Sequence, residues 1–152
     1  MDAIVFSTQI NGTSISENMK TESFELTAAF PTTAQRLYTA WLNSEEHGNF
    51  TGGEANIDAI VGSEYSAWDE YITGKILELE PGRRILQTWR TSEFEDSDED
   101  SLLEILLSDT DNGCLLTLKH WDIPAGQGKS YEAGWEEHYF SPMRSYFANK
   151  PA

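Results

Sequence analysis

Two Glu-Glu-His triplets are the places in this 152-residue chain where residue type first suggests chemistry. One is Glu45-Glu46-His47, inside SEEHG, and the other is Glu136-Glu137-His138, inside GWEEHYF. Carboxylates beside an imidazole can hold a metal or pass protons. Adjacent helical residues point about 100° apart, however, so three neighbours on one helix cannot converge on one ion. Helical zinc motifs place their ligands three or four positions apart, and neither triplet has that spacing. Both triplets are expected to be solvated helix residues, the second on an aromatic helix that covers something.

The acidic run EFEDSDED suggests calcium, because Asp96, Asp98 and Asp100 take alternate positions as calcium-loop ligands do. The sharp turn then falls on Ser101 instead of Gly, and the bidentate Glu is replaced by Leu107, so a solvated inter-strand loop is expected. PAGQGKS lacks the gap that a phosphate-binding loop needs between its first Gly and Gly-Lys-Ser. Cys114, the single cysteine, sits in the apolar run GCLLTLKHW and reads as a small buried hydrophobe. No metal site, cofactor or catalytic set is expected.

Two polar residues on apolar strands are more informative. His120 ends such a strand beside Trp121, where a neutral imidazole can orient a ligand, act as a base or hydrogen-bond at the core edge. Arg90, in TWRTS, could pair with an anionic ligand, but in so acidic a chain a neighbouring carboxylate is the simpler partner. Five Trp, with Tyr65, Tyr71, Tyr139 and Tyr146, are many rings for one small core. They point either to bulk packing or to an aromatic cavity of the kind that holds small molecules.

The elements that must position these residues form one domain. The length suits a single core, and 39% hydrophobic residues argue against disorder. A formal charge of −16 argues against nucleic acid and against an anionic membrane surface. The N-terminal stretch has no basic region of the signal-peptide kind and no apolar run is long enough to span a membrane, so a cytoplasmic protein is expected.

ESFELTAAF alternates as a strand; Pro31 is then placed in the first turn of a helix whose apolar stripe is Ala34, Leu37, Tyr38, Trp41 and Leu42. From 54 to 121 a meander of strands is expected, beginning with EANIDAIV and including hairpins at Pro81-Gly82 and Asn112-Gly113. A last helix covers about 130–148, its Trp135, Tyr139, Met143 and Phe147 facing Cys114, Leu116, Leu118 and His120. Strand, helix, antiparallel strands and long helix make an α+β fold.

The run GSEYSAWDEYITGKILELEPGRRILQTWR, followed by DTDNGCLLTLKH, IPAG and GWEEHYFSPMRSYF, resembles the C-terminal domain of the activator of heat-shock protein 90 ATPase. That family is a branch of the START-like (SRPBCC) helix-grip superfamily, and the resemblance covers roughly 22–148. It implies a curved antiparallel β-sheet wrapped around a long C-terminal α-helix, with a cavity between them. It implies a domain over 21–149 preceded by an extension, 1–20.

The expected function is binding of a small apolar or aromatic ligand. The expected lining is Tyr65, Trp68, Trp89 or Arg90 according to strand parity, Leu116, Leu118, His120, Trp135 and Tyr139. The alternatives are a chaperone-interacting or stress-response module, and a cyclase- or hydrolase-like enzyme with His120 as general base.

Overall fold

The computed structural model describes residues 21–149, so the expected extension lies outside the described residues. In chain order the elements are β1 (Thr21–Phe30), α1 (Ala34–Trp41), α2 (Ser44–Thr51), β2 (Glu64–Ala67), β3 (Ile72–Glu80), β4 (Arg84–Thr91), β5 (Ser101–Thr110), β6 (Gly113–Pro124) and a C-terminal helix. That helix is α3 (Gly128–Gly134), a π-helical turn (Trp135–Phe140) and α4 (Ser141–Asn149). The six strands form one antiparallel sheet in the order β1-β6-β5-β4-β3-β2. The result is an α+β helix-grip architecture, the sheet closing on its long C-terminal helix.

Alternation builds the inner face. Leu103, Ile105 and Leu107 of β5 stand opposite His120, Leu118 and Leu116 of β6. All are buried, as are Phe30 on β1 and Ile85 and Trp89 on β4. Burying each such aliphatic side chain stabilises the fold by roughly 1.5–3 kcal/mol, enough to fix strand register, since a one-residue slip would expose the whole set. The β5–β6 turn is Asp111-Asn112, and Gly113 already pairs with Thr110. Glycine is needed at 113 because a Cβ there would run into the Phe30 carbonyl oxygen.

The helical stripe Ala34, Leu37, Tyr38, Trp41 and Leu42 is buried as a unit. Pro31 does not open the helix; Thr33 is the N-cap, its Oγ1 accepting the Arg36 N–H at 3.1 Å. The Ala34 N–H donates instead to the Asp109 carboxylate on β5, 2.8 Å away, tying helix start to sheet. SEEHG lies in a full second helix, capped by the Asn43 side chain and ended by Gly52 in the left-handed conformation.

EANIDAIV is not a strand. It makes one isolated bridge, Asn56 to Ser66, and then turns away through exposed Ile60 and Val61. The last helix also differs from a plain α-helix: the Ser141 N–H bonds back to the Glu136 carbonyl, five residues earlier. This wider turn lets Tyr139 and Phe140, neighbours in sequence, both enter the core beside Trp135, Met143 and Phe147.

Candidate functional site

The centre of the space between sheet and helix is filled by rings. Trp41 stacks on Trp135 at 6.3 Å, Trp135 meets Tyr139 at 4.7 Å, and Trp89 meets His120 at 4.6 Å. What remains among Trp41, His47, Tyr65, Gln87 and Trp135 is a void of about 10 Å³, room for at most a single water.

Open space lies towards one end, where a cleft of about 510 Å³ runs between the π-turn and the strand ends. The sheet side supplies Trp68, Tyr71, Ile72, Trp89 and Glu93, and the helix side supplies Tyr131, Trp135, Glu137, His138 and Tyr139. Its size falls in the range of small-molecule sites, about 300–1,000 Å³.

Two local distortions shape this cleft. The π-turn contributes four of its six residues to the wall: Trp135, Glu137, His138 and Tyr139. Opposite it, Trp68, Asp69 and Glu70 are all left-handed, with φ of 54°, 56° and 72°. Each such residue costs about 1–2 kcal/mol, and strain of this kind concentrates where backbone must place a side chain unusually. The turn is held by the Asp69 N–H to the Glu54 carbonyl at 3.0 Å and by the Glu54 N–H to the Asp69 carboxylate at 2.8 Å. It sets the Trp68 ring edge-on to His138 across the mouth, 5.7 Å between centroids.

Beneath the cleft lie two buried histidines with their protons assigned by their partners. Ser101 Oγ–H donates to the Trp89 carbonyl at 2.5 Å, so His120 Nε2–H donates to Ser101 Oγ at 2.9 Å. Its Nδ1 lone pair then accepts the Trp135 indole N–H at 3.2 Å. His47 Nδ1–H donates to the Trp41 carbonyl at 2.8 Å, leaving Nε2 to accept the Tyr139 hydroxyl proton, also at 2.8 Å.

Burial pushes both imidazoles down, His120 to about 3 and His47 to about 4, and keeps the Tyr139 phenol protonated. In this arrangement His120 is a neutral structural clamp whose basic nitrogen is occupied. The Ser101 proton is committed to a backbone carbonyl, not to the histidine, so the pair lacks the polarity of a nucleophile and its base.

With fold and cleft in view, the model of the "Activator of Hsp90 ATPase homolog 1-like protein" family matches residues 31–148. The chain belongs to this activator-like family. A human relative, "Activator of 90 kDa heat shock protein ATPase homolog 1", is 26% identical over 124 residues, 80% of this chain and 36% of its own length. The mouse "Activator of 90 kDa heat shock protein ATPase homolog 2" is 21% identical over 136 residues, 90% of this chain and 41% of its own. The chain thus spans well under half the length of these curated relatives. Among solved structures, an HSP90 activator from Plasmodium falciparum superposes with a TM-score of 0.77 at 22% identity, covering 83% of this chain and 96% of the other. At that identity the likeness shows the fold.

In this activator-like domain the residues singled out from sequence separate into three groups. Trp68, Trp89, Trp135 and Tyr139 line the cleft together. Leu116, Leu118 and His120 face inward as parity requires, but they are fully buried behind the rings and do not reach it. Tyr65 is also buried, its hydroxyl donating to the Thr88 carbonyl at 2.6 Å; it borders the small void and a separate groove along β2 and β3, not the cleft.

Arg90 is corrected by parity: Trp89 takes the inner face, so Arg90 points outward. It organises the acidic loop, donating to the Asp100 carboxylate at 2.7 Å and to the carbonyls of Asp98 and Glu95 at 3.1 and 3.0 Å. Among the described residues, no group of three or more His, Cys, Asp or Glu is placed to hold a metal ion. No described helix is long and apolar enough to cross a membrane.

The triplets need correcting as well. His47 is 3% exposed, not solvated, and Glu46 is paired with Arg36 at 2.5 Å. Glu137 and His138 are exposed, yet they form part of the cleft wall. Tyr71 is among the surplus rings but not in the expected lining, and Ile72, Glu93 and Tyr131 are not singled out from sequence. Tyr131 and Trp135 are four apart in the helical register, a spacing that could have extended the aromatic stripe by one turn.

Proposed function

We propose that this protein binds a small, largely apolar or aromatic molecule in the cleft between the π-turn and the ends of β3 and β4. The observation that carries this reading is the aromatic wall: Trp68, Tyr71, Trp89, Tyr131, Trp135 and Tyr139 surround about 510 Å³ of open space. Burial of a flat apolar ligand against these rings supplies the affinity, and the Glu93 and Glu137 carboxylates at the rim orient it. The buried histidines hold Trp89, Trp135 and Tyr139 in place and take no chemical part.

Native mass spectrometry of gently purified protein tests the reading, with indole fluorescence as second readout. A released molecule of defined mass, absent from a Trp68→Ala, Tyr71→Ala variant that still folds, is the expected result. An unliganded mass, together with no change in indole emission against a library of aromatic compounds, overturns it.

Family membership favours a second reading, in which the domain docks on a chaperone of the heat-shock protein 90 class. The human and mouse relatives are named as activators of that ATPase, and a chain of charge −16 would be drawn to a basic surface. Salt-sensitive association with purified chaperone, and a rise in its ATPase rate, are the expected signs. Absence of both overturns this second reading and leaves the first untouched.

A further inference from the structure

We propose that the ligand of this cleft is an organic cation: an apolar or aromatic body carrying a protonated or quaternary amine. This deepens the reading above and rests on it. The argument is the combination of ring faces and charge along one wall. Six aromatic side chains, two carboxylates (Glu93 and Glu137) and the His138 imidazole, 3.9 Å from Glu137, line the cleft, and neither Lys nor Arg does. An ammonium against aromatic faces gains about 0.5–2 kcal/mol from the ring quadrupoles, the larger figure where water is displaced. A rim carboxylate adds Coulomb attraction of the same sign, whereas an anionic ligand would meet repulsion from both rings and rim.

The local hydrogen bonding keeps this polarity. Tyr71 gives its hydroxyl proton to the Glu93 carboxylate, and burial together with that carboxylate holds the phenol protonated, so its donor is spent. Tyr131 gives its proton to Gln127 Oε1 at 2.5 Å and receives one from Thr91 Oγ1 at 2.7 Å, so its donor is spent away from any ligand. Of the three indoles, Trp135 gives its N–H to His120, while Trp68 and Trp89 stand edge-on to His138 and His120. The cleft therefore offers an incoming molecule ring faces and carboxylates, with the donors of Tyr71, Tyr131 and Trp135 already committed and those of Ser130 and His138 remaining. The Arg nearest in sequence to its wall, Arg90, is turned to the other side of the sheet and neutralised there by Asp100.

The test is a matched series titrated into the whole protein by calorimetry at neutral pH: naphthylethylammonium, naphthylethanol and naphthylacetate. The expected order is ammonium tightest, by at least about tenfold over the alcohol, with the acetate weakest. In a Glu93→Gln, Glu137→Gln variant the ammonium advantage over the alcohol falls to within about threefold. A control variant, Glu25→Gln, Glu45→Gln, removes equal charge away from the cleft and keeps the full advantage.

Equal binding of alcohol and ammonium, or tighter binding of the acetate, overturns the cation assignment and leaves ligand binding itself standing. Loss of the advantage in the control variant overturns it too, since the preference would then come from the overall field of the chain. No heat from any of the three compounds overturns both the cation assignment and the binding reading beneath it.

Discussion

Acid should unfold this protein earlier than its composition suggests, and the two buried histidines say by how much. With 26 Asp and Glu against 10 Lys and Arg, protonating carboxylates relieves net repulsion, which by itself would favour the folded state as pH falls. His47 and His120 act in the opposite direction. Their folded values, about 4 and about 3, lie below the value of about 6.5 for a histidine in an unfolded chain. Below that unfolded value the unfolded chain takes up protons that the folded chain refuses, so stability falls as pH falls. The loss continues until the folded values are reached.

The slope is about 1.4 kcal/mol per pH unit for each unmatched proton. Integrated from about pH 7 to about pH 5, where carboxylates have scarcely begun to titrate, each histidine removes about 2 kcal/mol, or about 4 kcal/mol together. Urea unfolding followed by tryptophan emission, repeated across that window, measures it. A His120→Asn variant keeps an acceptor for the Trp135 indole; its stability at neutral pH is lower than that of the parent, and its loss across the window is halved to about 2 kcal/mol. A parent whose stability is flat or rising towards pH 5, or a variant with an unchanged slope, would refute the burial argument.

Three further outcomes are expected. Trp135→Phe preserves the ring but strands the buried His120 Nδ1 without its donor, and a urea titration should show a loss of about 1–3 kcal/mol. The Cys114 thiol, fully buried with its pKa pushed up to about 11 by burial, should resist Ellman's reagent in the native protein and react fully in urea. Gly74→Ala places a Cβ against the Thr88 carbonyl and the Tyr65 ring; circular dichroism melting should report about 1–3 kcal/mol of destabilisation, with the β3–β4 pairing disturbed.

The sheet was largely legible because its inner strands alternate, β5 from Ser101 to Leu107 and β6 from Cys114 to His120, and register follows from matching those faces. EANIDAIV misled for the same reason. Its alternation imitates a strand, but alternation does not say whether a partner edge is available, and only Asn56 finds one. The histidine clamps were out of reach because Ser101 and Trp135 approach His120 from a neighbouring strand and a distant helix.

The π-turn did leave a trace in the sequence. Trp135, Tyr139, Met143 and Phe147 recur every four residues, and each such step overshoots an α-helical turn by about 40°. A stripe like that walks off the core in a regular helix and stays on it only where the helix widens. The cleft was the least legible feature: its wall combines a left-handed turn, a widened helix and a strand end, and none of these is written as a local residue pattern.

In genetic terms the widened turn behaves as a one-residue insertion that the chain has kept. Deleting one residue between Trp135 and Phe140 would not break the helix; it would repair it into a continuous α-helix. The repair would rotate everything upstream by about 100° relative to α4. Tyr131 would then swing off Trp89 and Thr91, which it now touches at 4.8 Å between rings and 2.7 Å between hydroxyls. A more regular backbone would thus come with an open cleft and a tyrosine parted from the sheet.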